Sequence, residues 1–386
     1  MKIFFKILSC LILSVILVLL SQAIKRDSVF EIKDNMSIVK LPPLEQRVLN
    51  QMTLEQKVGQ LLMFGFNGLE INEDTKDLIK TRYIGGVLLL GKNISNSQQL
   101  TDLNTQLQSE SQIPLLISID QEGGVVSRIK WDKELLISQK SMGEVEDIYN
   151  LSVRKSQILK DLGINVNLAP VVEYITDRNS FLYPRVFTGT QKEVSNKAYS
   201  AMKGYADSNM ISVAKHYPGH SNLSPDSHFS LPKVFISIQQ WDEYIYPFTS
   251  LINQDVVDVI MVGHILYPNI DSKPSTISNI IINQKLRKDL NFQGVVITDD
   301  MLMDAIEKQG EYCDIAKQAL IAGNDILLYS MYSAKPNLQR DIYDCIINSV
   351  NSEEISFEDI NQKVLRILRL KIKYGLIEKS ILQPAE

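Results

Sequence analysis

Histidines concentrate in one polar stretch near the middle of the chain. Three of the four histidines, His216, His220 and His228, fall within AKHYPGHSNLSPDSHFSLP, which runs from Ala214 to Pro232. Imidazoles mixed with a lysine, an aspartate, prolines and a glycine could bind a metal ion, hold a phosphate or transfer protons. The surrounding residues decide among these three chemistries.

Metal binding and phosphate binding both fit this stretch poorly. His216 and His220 are four residues apart, but Pro218 and Gly219 between them disfavour a shared helical face. Asp226 could add a carboxylate ligand for zinc, yet the HExxH pattern of many zinc hydrolases does not occur. No glycine-rich turn opens onto a helix here, as a phosphate-binding loop requires. Zinc catalysis is therefore the weaker alternative, and we expect no metal and no organic cofactor.

Proton transfer explains more of the stretch. Asp226 precedes His228 by two residues, so its carboxylate can accept the Nδ1–H of the imidazole and raise the basicity of the other nitrogen. Asp299, from a different part of the chain, could act as the nucleophile. A carboxylate that attacks an acetal carbon forms a covalent glycosyl-enzyme, which is the chemistry of retaining glycosidases. In this scheme His228 replaces the carboxylic acid that usually protonates the leaving oxygen.

Short apolar runs alternate with amphipathic stretches along most of the chain. The runs are rich in Val, Ile and Leu, as expected for strands buried on both faces. Eight such runs cover residues 60–66, 85–90, 115–120, 164–170, 212–217, 259–265, 294–300 and 325–330. Helical stretches cover residues 96–110, 193–208 and 356–376, with Ser95 or Asn96 and Ser356 as caps. The alternation predicts a (β/α)8 TIM-like barrel in a single catalytic domain, with a doubly wound open sheet as the alternative.

Polar residues lie at the carboxyl ends of four of the predicted strands. They are Asp120 in the third run, Lys215 and His216 in the fifth, His264 in the sixth, and Asp299 and Asp300 in the seventh. In a (β/α)8 barrel, functional side chains lie at the carboxyl ends of the strands. The sequence therefore predicts that these residues share one functional mouth.

Several sequence blocks resemble glycoside hydrolase family 3, in its single-domain bacterial β-N-acetylhexosaminidase branch. The blocks are IDQEGGVVSR (119–128), YPRVFTG (183–189), AKHYPGH…DSH…LP (214–232), VIMVGHILYP (259–268), FQGVVITDDMLM (292–303) and AGNDILL (322–328). The KH-PGH…DSH pattern is the most specific of them. The resemblance extends from MTLEQKVGQLLM (52–63) to the last predicted helix.

This resemblance implies a role for each matching residue. Asp299 corresponds to the nucleophile, His228 to the acid/base and Asp226 to its partner. Asp120 corresponds to an aspartate that grips sugar hydroxyls, and Arg128, Arg185, Lys215 and His216 correspond to further substrate contacts. The implied enzyme is a retaining exo-β-N-acetylglucosaminidase that removes terminal β-linked N-acetylhexosamine from peptidoglycan or its fragments. A β-glucosidase of the same family and a non-catalytic cell-wall glycan-binding protein are the alternatives.

The chain departs from the usual family pattern outside the catalytic positions. Ser221 stands where the family usually has glycine, Val125 replaces an arginine, and Val186 and Thr188 replace serine and glycine. These changes bear on specificity more than on activity. We also expect the loop that carries His228 to move and to close over the substrate, bringing the acid to about 5–5.5 Å from Asp299.

Some of the conspicuous residues have structural interpretations of equal standing. Asp300 could cap the following helix, His220 could be a hydrogen-bonding residue of its loop, and His264 could line the mouth without chemistry. Gly123 and Gly124 suit a tight turn. Arg128 could simply pair with Asp120 or Glu122.

Composition narrows the class of protein and of partner. The chain has 386 residues, 45% of them hydrophobic, and a net charge of −5. That is enough apolar material for a large core, and the lack of a basic surplus argues against nucleic acid as a partner. We expect a monomer whose partner is a glycan bearing terminal β-N-acetylglucosamine.

The N-terminus has the pattern of a secretory signal. MKIFFK is basic, ILSCLILSVILVLL is apolar, and SQA places small residues at Ser21 and Ala23. We predict a signal peptide or membrane anchor at residues 1–23, a tether at 24–45 and the barrel domain at 46–380. Cleavage after Ala23 is favoured, and an uncleaved anchor through residues 7–20 is the main alternative. A lipoprotein at Cys10 is weaker, because most of the apolar run follows it. The folded part is expected outside the cytoplasm, in the periplasm or the medium. If the segment 7–20 is not removed, it would attach the folded part to the membrane.

Two cysteines lie in the predicted barrel. Cys313 and Cys345 could pair or stay free, and their spacing does not decide between these states. Two free buried thiols are the favoured expectation.

Overall fold

Eight parallel strands form the centre of the molecule. The computed structural model describes residues 42–222, 225–227, 229–330, 335 and 337–377. The strands are β1 Leu62–Gly65, β2 Gly86–Leu89, β3 Leu116–Ile119, β4 Val166–Asn167, β5 Ile211–Tyr217, β6 Val259–Val262, β7 Val295–Thr298 and β8 Leu327–Tyr329. Their order is β7-β6-β5-β4-β3-β2-β1-β8, and each named pair is parallel. Seven strands lie within the predicted apolar runs, and β5 begins at Ile211, one residue before the run predicted at 212–217.

The sheet closes between β7 and β8, the two strands at its edges. Ile297 of β7 forms a parallel bridge with Ile326, which directly precedes β8. The Thr298 N–H donates to the Ile326 carbonyl at 3.0 Å across the same seam. Every strand residue is buried, because one face of each strand points into the barrel and the other packs against helices. The (β/α)8 barrel is confirmed, and the open doubly wound sheet is wrong.

Helices surround the strands. Their bounds are Leu44–Gln51, Leu54–Gln60, Glu73–Arg82, Ser97–Ser109, Val145–Asp161, Gln191–Asp207, Trp241–Tyr244, Tyr246–Asn253, Asp304–Glu307, Tyr312–Ala322, Leu338–Asn351 and Phe357–Lys373. A π-helical segment covers Ile280–Asp289, and short 3-10 turns cover Gly91–Asn93, Gln139–Ser141, Ile238–Gln240 and Ser275–Ile277.

Helix caps follow the local sequence. The Asn96 carboxamide oxygen accepts the Gln99 N–H at 3.0 Å, and the Ser356 hydroxyl accepts the Asp359 N–H at 3.1 Å. Each contact satisfies a backbone donor that has no partner inside its helix. Of the two caps considered for the helix Ser97–Ser109, Asn96 is therefore the one used. The cap predicted at Ser356 is confirmed.

The N-terminal segment lies outside the described residues. Residues 1–41, which include the predicted signal or anchor and most of the predicted tether, are not described. Across the described ranges, no helix combines the length and the apolar character needed to cross a membrane. The division of the chain at residues 23 and 45 stays a prediction.

A disulfide bond joins Cys313 and Cys345. The two residues lie on the helices Tyr312–Ala322 and Leu338–Asn351, with their Cα atoms 5.8 Å apart. The expectation of two free thiols is therefore wrong. Sequence spacing could not decide this pairing, because it depends on which turns of two neighbouring helices face each other in the outer ring.

Candidate active site

The predicted mouth residues meet at one end of the barrel. Asp120 follows β3, Lys215 and His216 lie near the end of β5, His264 follows β6, and Asp299 follows β7. All eight strands run in the same direction, so their carboxyl ends share one face of the barrel. Strand order alone therefore brings together residues that are far apart in the chain.

Asp299 is a partly buried carboxylate with a directed hydrogen bond. Its side chain is 18% exposed, and Oδ1 accepts the Asp300 N–H at 2.8 Å. Oδ2 lies 3.9 Å from Nε2 of His216. Burial alone would raise the pKa of Asp299, but His216, His264, the Asp300 N–H and the Lys215 ammonium outweigh burial and lower it. The group is therefore ionised at neutral pH, as a nucleophilic carboxylate must be.

His216 and His220 share one buried carboxylate, that of Glu173. Nδ1 of His216 lies 2.7 Å from Oε1 of Glu173, and Nδ1 of His220 lies 3.1 Å from Oε2. The backbone N–H groups of both histidines donate to the same carboxylate. Burial would raise the pKa of Glu173, but the two histidines lower it well below its usual range. Glu173 therefore fixes the orientation of both imidazoles.

Proton positions follow from these contacts. Nδ1 of His216 faces a carboxylate, so that nitrogen carries the proton and Nε2, on the Asp299 side, is bare when the ring is neutral. Burial lowers the pKa of His216 more than Glu173 and Asp299 raise it. Nε2 of His220 is buried and has no hydrogen-bond partner among the described residues. The structural interpretation of His220 as a hydrogen-bonding residue of its loop agrees with its contacts.

A second network of charges is centred on the buried Lys215 and Glu122 and reaches the partly exposed Asp120 and Arg128. Its Nζ lies 2.7 Å from Oδ1 of Asp120 and 2.7 Å from Oε1 of Glu122. Arg185 forms a two-point contact with Glu122, with Nε–Oε2 at 2.9 Å and Nη2–Oε1 at 2.8 Å. Nη2 of Arg128 lies 3.6 Å from Oδ2 of Asp120. All five substrate-contact residues predicted from the sequence thus lie in this network or in the neighbouring histidine pair.

The buried groups of this network stay ionised because each charge is paired with an opposite one. Burial would raise the pKa of Glu122, but Lys215 and Arg185 lower it to about 2. Burial likewise opposes ionisation of Lys215, yet Asp120 and Glu122 raise its pKa. Fixed, desolvated charges of both signs can bind hydroxyl and amide groups in defined directions. The arrangement suits a polar, hydroxyl-rich ligand.

A tight turn at Gly123 and Gly124 adjoins this network. Gly123 and Gly124 have φ angles of 94° and 60°, which favour glycine. A Cβ atom on Gly123 would lie 2.0 Å from the carbonyl oxygen of Ile137. The buried Nζ of Lys155 donates to that same carbonyl at 2.7 Å. The predicted turn is confirmed, and it directly follows Asp120 and Glu122 in the chain.

Asp300 accepts backbone hydrogen bonds beside Asp299. Its Oδ1 accepts the N–H groups of Leu302 at 3.1 Å and Ser330 at 2.9 Å. The next helix begins at Asp304 with Met303 as its cap residue, so the expectation that Asp300 caps it is wrong. Burial raises the pKa of Asp300, and the negative charge of Asp299 raises it further. The two adjacent carboxyl groups are thereby given opposite shifts.

The predicted acid/base His228 lies outside the described residues. Its predicted partner Asp226 is described, and the Asp226 carbonyl accepts the N–H groups of Phe229 at 3.1 Å and Ser230 at 3.3 Å. This turn follows the β5 mouth residues in the chain. The contact between Asp226 and His228, their distance from Asp299 and the movement of this loop stay predictions.

Three buried groups could hold a metal ion. One ligand atom from each of Glu173, His216 and His220 lies within 4.8 Å of the others. This set differs from the zinc ligands considered from the sequence, because Glu173 takes the place of Asp226 and His228. Metal binding there would displace the two Nδ1 protons that now face the carboxylate. A cavity of ≈ 280 Å³ adjoins Glu173 and His220, and its lining does not include Asp299.

Sequence reasoning missed two of the buried acids. Glu173 was not singled out, although it comes shortly after β4 just as Asp120 comes after β3. Glu122 was considered only as a partner of Arg128, whereas it pairs with Lys215 and Arg185. Its position in the loop after β4, at the carboxyl end of a buried strand, was the signal that could have found Glu173.

Comparisons with known proteins agree with the fold and the sequence blocks. The family model for the glycosyl hydrolase family 3 N terminal domain matches residues 53–370. A beta-hexosaminidase of Idiomarina loihiensis is 31% identical over 279 residues, covering 69% of this chain and 82% of that protein. A beta-hexosaminidase of Haemophilus influenzae is 30% identical over 275 residues, covering 69% of this chain and 78% of that protein.

A solved structure extends the similarity to three dimensions. The glycoside hydrolase family 3 beta-N-acetylglucosaminidase from Paenibacillus sp. str. FPU-7 is 33% identical, with a TM-score of 0.78. The alignment covers 87% of this chain and 65% of that chain. Because the family model spans most of the chain and the barrel agrees with it, the chain belongs to glycosyl hydrolase family 3.

Proposed function

We propose that the chain is a retaining exo-β-N-acetylglucosaminidase. The observation that carries the proposal is the ionised Asp299, held at the barrel mouth beside a paired network of buried charges. The beta-hexosaminidases that the chain resembles support the choice of an N-acetylhexosamine as the sugar. Four positions matched to the family's substrate contacts, Asp120, Arg128, Arg185 and Lys215, belong to that network.

In the first step, Asp299 attacks the anomeric carbon of the terminal sugar. One carboxylate oxygen forms a bond to this carbon while the bond to the leaving oxygen breaks. His228 gives its proton to that oxygen, so that the leaving group departs as an alcohol. Asp226 stabilises the imidazolium before this transfer and fixes its tautomer. Because Asp300 donates its N–H to Oδ1, Oδ2 is the oxygen of Asp299 that is better placed to attack.

In the second step, water hydrolyses the glycosyl-enzyme. His228 takes a proton from the water as its oxygen attacks the anomeric carbon, and Asp299 departs as a carboxylate. Two displacements at the same carbon restore the β configuration, so the product is β-N-acetylglucosamine. No metal or organic cofactor takes part in either step.

The buried network binds the sugar in this proposal. Asp120 accepts hydrogen bonds from sugar hydroxyls, and Lys215 and Arg128 hold its carboxylate in place. Arg185 acts through Glu122, which it contacts at two points. Such pre-paired groups need little reorganisation when a ligand arrives, which favours tight positioning of the anomeric carbon.

The natural substrate is proposed to be peptidoglycan or its fragments outside the cytoplasm. The basic and apolar N-terminus supports export. The Cys313–Cys345 bond also supports it, because structural disulfides persist mainly in oxidising compartments. Cell fractionation, followed by mass analysis of the N-terminus of the recovered protein, tests both export and cleavage after Ala23. Recovery of the intact chain from the cytoplasm alone would contradict export.

A substrate comparison tests the proposed activity. The full chain is treated with EDTA and assayed on nitrophenyl β-N-acetylglucosaminide beside the matching β-glucoside. We expect turnover of the first substrate only, and a loss of more than about 10³-fold in Asp299→Asn. Asp226→Asn is the companion variant. Its loss should be small with the nitrophenyl leaving group and larger with a sugar leaving group, because only the sugar needs a proton to depart.

Each contrary result points elsewhere. Turnover of the β-glucoside would identify a β-glucosidase. Binding of the N-acetylated sugar without turnover would favour a glycan-binding protein. Activity that survives in Asp299→Asn would exclude this residue as the nucleophile.

A further inference from the structure

We propose that His264 is a positioning residue that sets the orientation of the nucleophile Asp299 through the backbone of Asp300. The inference rests on the proposed function, since it assigns a role in the same reaction. His264 follows β6, is fully buried, and lies between the end of β7 and the 3-10 turn Ser275–Ile277. It has no assigned part in the steps above.

Both ring nitrogens of His264 are engaged. Nε2 lies 2.9 Å from the carbonyl oxygen of Asp300, and Nδ1 lies 2.6 Å from Oγ1 of Thr276. A carbonyl oxygen can only accept, so Nε2 carries the proton and donates it. Burial lowers the pKa of His264 despite the nearby Asp299, which keeps the ring neutral. In that tautomer Nδ1 is bare and accepts the Thr276 hydroxyl proton at 2.6 Å, in preference to the Gly263 carbonyl oxygen, which lies 3.2 Å from the same hydroxyl.

Asp300 is the residue through which this contact reaches the nucleophile. Its N–H donates to Oδ1 of Asp299 at 2.8 Å, and its carbonyl accepts from His264. The Asp300 carboxylate is held by two backbone N–H groups, and the Asp299 N–H donates to the Val262 carbonyl at 3.0 Å. The Met303 N–H also donates to the Asp300 carbonyl, at 3.0 Å. Loss of the His264 donor would leave this carbonyl held only from within its own turn, so the Asp300 backbone could shift. A shift of this backbone would move the N–H that aligns the Asp299 carboxylate.

The geometry separates positioning from direct catalysis. With both nitrogens committed to protein groups and the side chain buried, His264 has no free nitrogen to exchange a proton with a substrate. A nucleophile misplaced by about 1 Å can lose about 10²-fold in rate. We therefore expect loss of His264 to lower kcat and the rate of glycosyl-enzyme formation, while KM changes little.

Two variants of matched polarity test the assignment. In His264→Gln the side-chain amide nitrogen can take the place of Nε2 and still donate to the Asp300 carbonyl. In His264→Asn the shorter amide reaches only the place of Nδ1, so the donor is lost. Both variants remove the ring, so a purely packing role predicts similar damage in each.

The readouts are kcat, KM, thermal midpoint and the rate of covalent trapping by a fluorinated N-acetylglucosaminyl inactivator. We expect His264→Gln to keep kcat within about 5-fold of the parent and His264→Asn to lose about 10²-fold, with KM within about 3-fold in both. Trapping of Asp299, located by peptide mass, should slow in parallel with kcat in His264→Asn.

The possible outcomes are distinguishable. A parent protein that hydrolyses no β-N-acetylglucosaminide removes the proposed function and this inference with it. An active parent with equal kcat losses in the two variants, matched by equal losses of thermal midpoint, leaves only a packing role and overturns the inference. An unchanged kcat in His264→Asn, or a loss confined to KM, overturns it as well.

Discussion

Removing the charge of Glu122 should cost stability in a pH-dependent way. The side chain is 1% exposed, and Lys215 and Arg185 lower its pKa from the usual 4.5 to about 2 despite burial. A pKa that is depressed in the folded state stabilises the protein above the unfolded value, and this stabilisation is lost as pH falls through the folded value. The difference corresponds to about 3 kcal/mol at pH 7 and about half of that at pH 3. Glu122→Gln cannot gain this contribution at any pH.

Urea unfolding of the parent and of Glu122→Gln at several pH values between 7 and 3 measures this contribution. The difference in the free energy of unfolding should be about 3 kcal/mol or more at neutral pH, because Arg185 also loses its two-point partner. The difference should shrink as the pH falls below 4.5. Lys308→Gln, which removes an exposed ion pair with Asp304, is the matched control and should change stability by less than about 1 kcal/mol at any pH. A Glu122→Gln difference that is constant across the pH range, or below about 1 kcal/mol at pH 7, would refute the pairing argument.

Three further predictions concern Glu173, the disulfide bond and the removal of metal ions. Glu173→Gln should lower kcat/KM by about 10- to 100-fold, because its amide nitrogen would face N–H groups of His216 and His220. Glu173→Asp keeps the negative charge and should lose less activity. Equal losses of kcat/KM in the two variants would contradict this prediction. The double variant Cys313→Ser, Cys345→Ser should reduce the free energy of unfolding by about 4 kcal/mol, as expected for a 32-residue separation. Urea unfolding of the parent with and without reductant checks this value. A parent whose stability does not change with reductant would contradict it. EDTA should leave hydrolysis unchanged, while activity lost to EDTA and restored by zinc would instead favour catalysis through the metal-compatible acid and histidine set.

Local sequence was sufficient to predict the elements and the caps. Each strand coincides with a predicted apolar run to within one residue at its start, and the helix beginning at Ser97 uses the predicted cap Asn96. These features depend on periodicity and on one or two neighbouring residues, which a sequence displays directly. The barrel followed from the number and alternation of the strands, and the barrel in turn implied that residues such as Asp120 and Asp299 share a mouth.

The sequence by itself thus determined the barrel, the family and the residues at the strand ends. Only the tertiary structure decided which of those residues pair. Lys215 meets Asp120 across 95 residues, and Glu173 meets His216 across 43. The Cys313–Cys345 bond likewise depends on how two outer helices pack. The physical reason is that an unpaired buried charge is energetically costly. Each buried acid therefore pairs with a cation or an imidazole that the strand order places next to it. That proximity belongs to the closed barrel and cannot be read from any local segment.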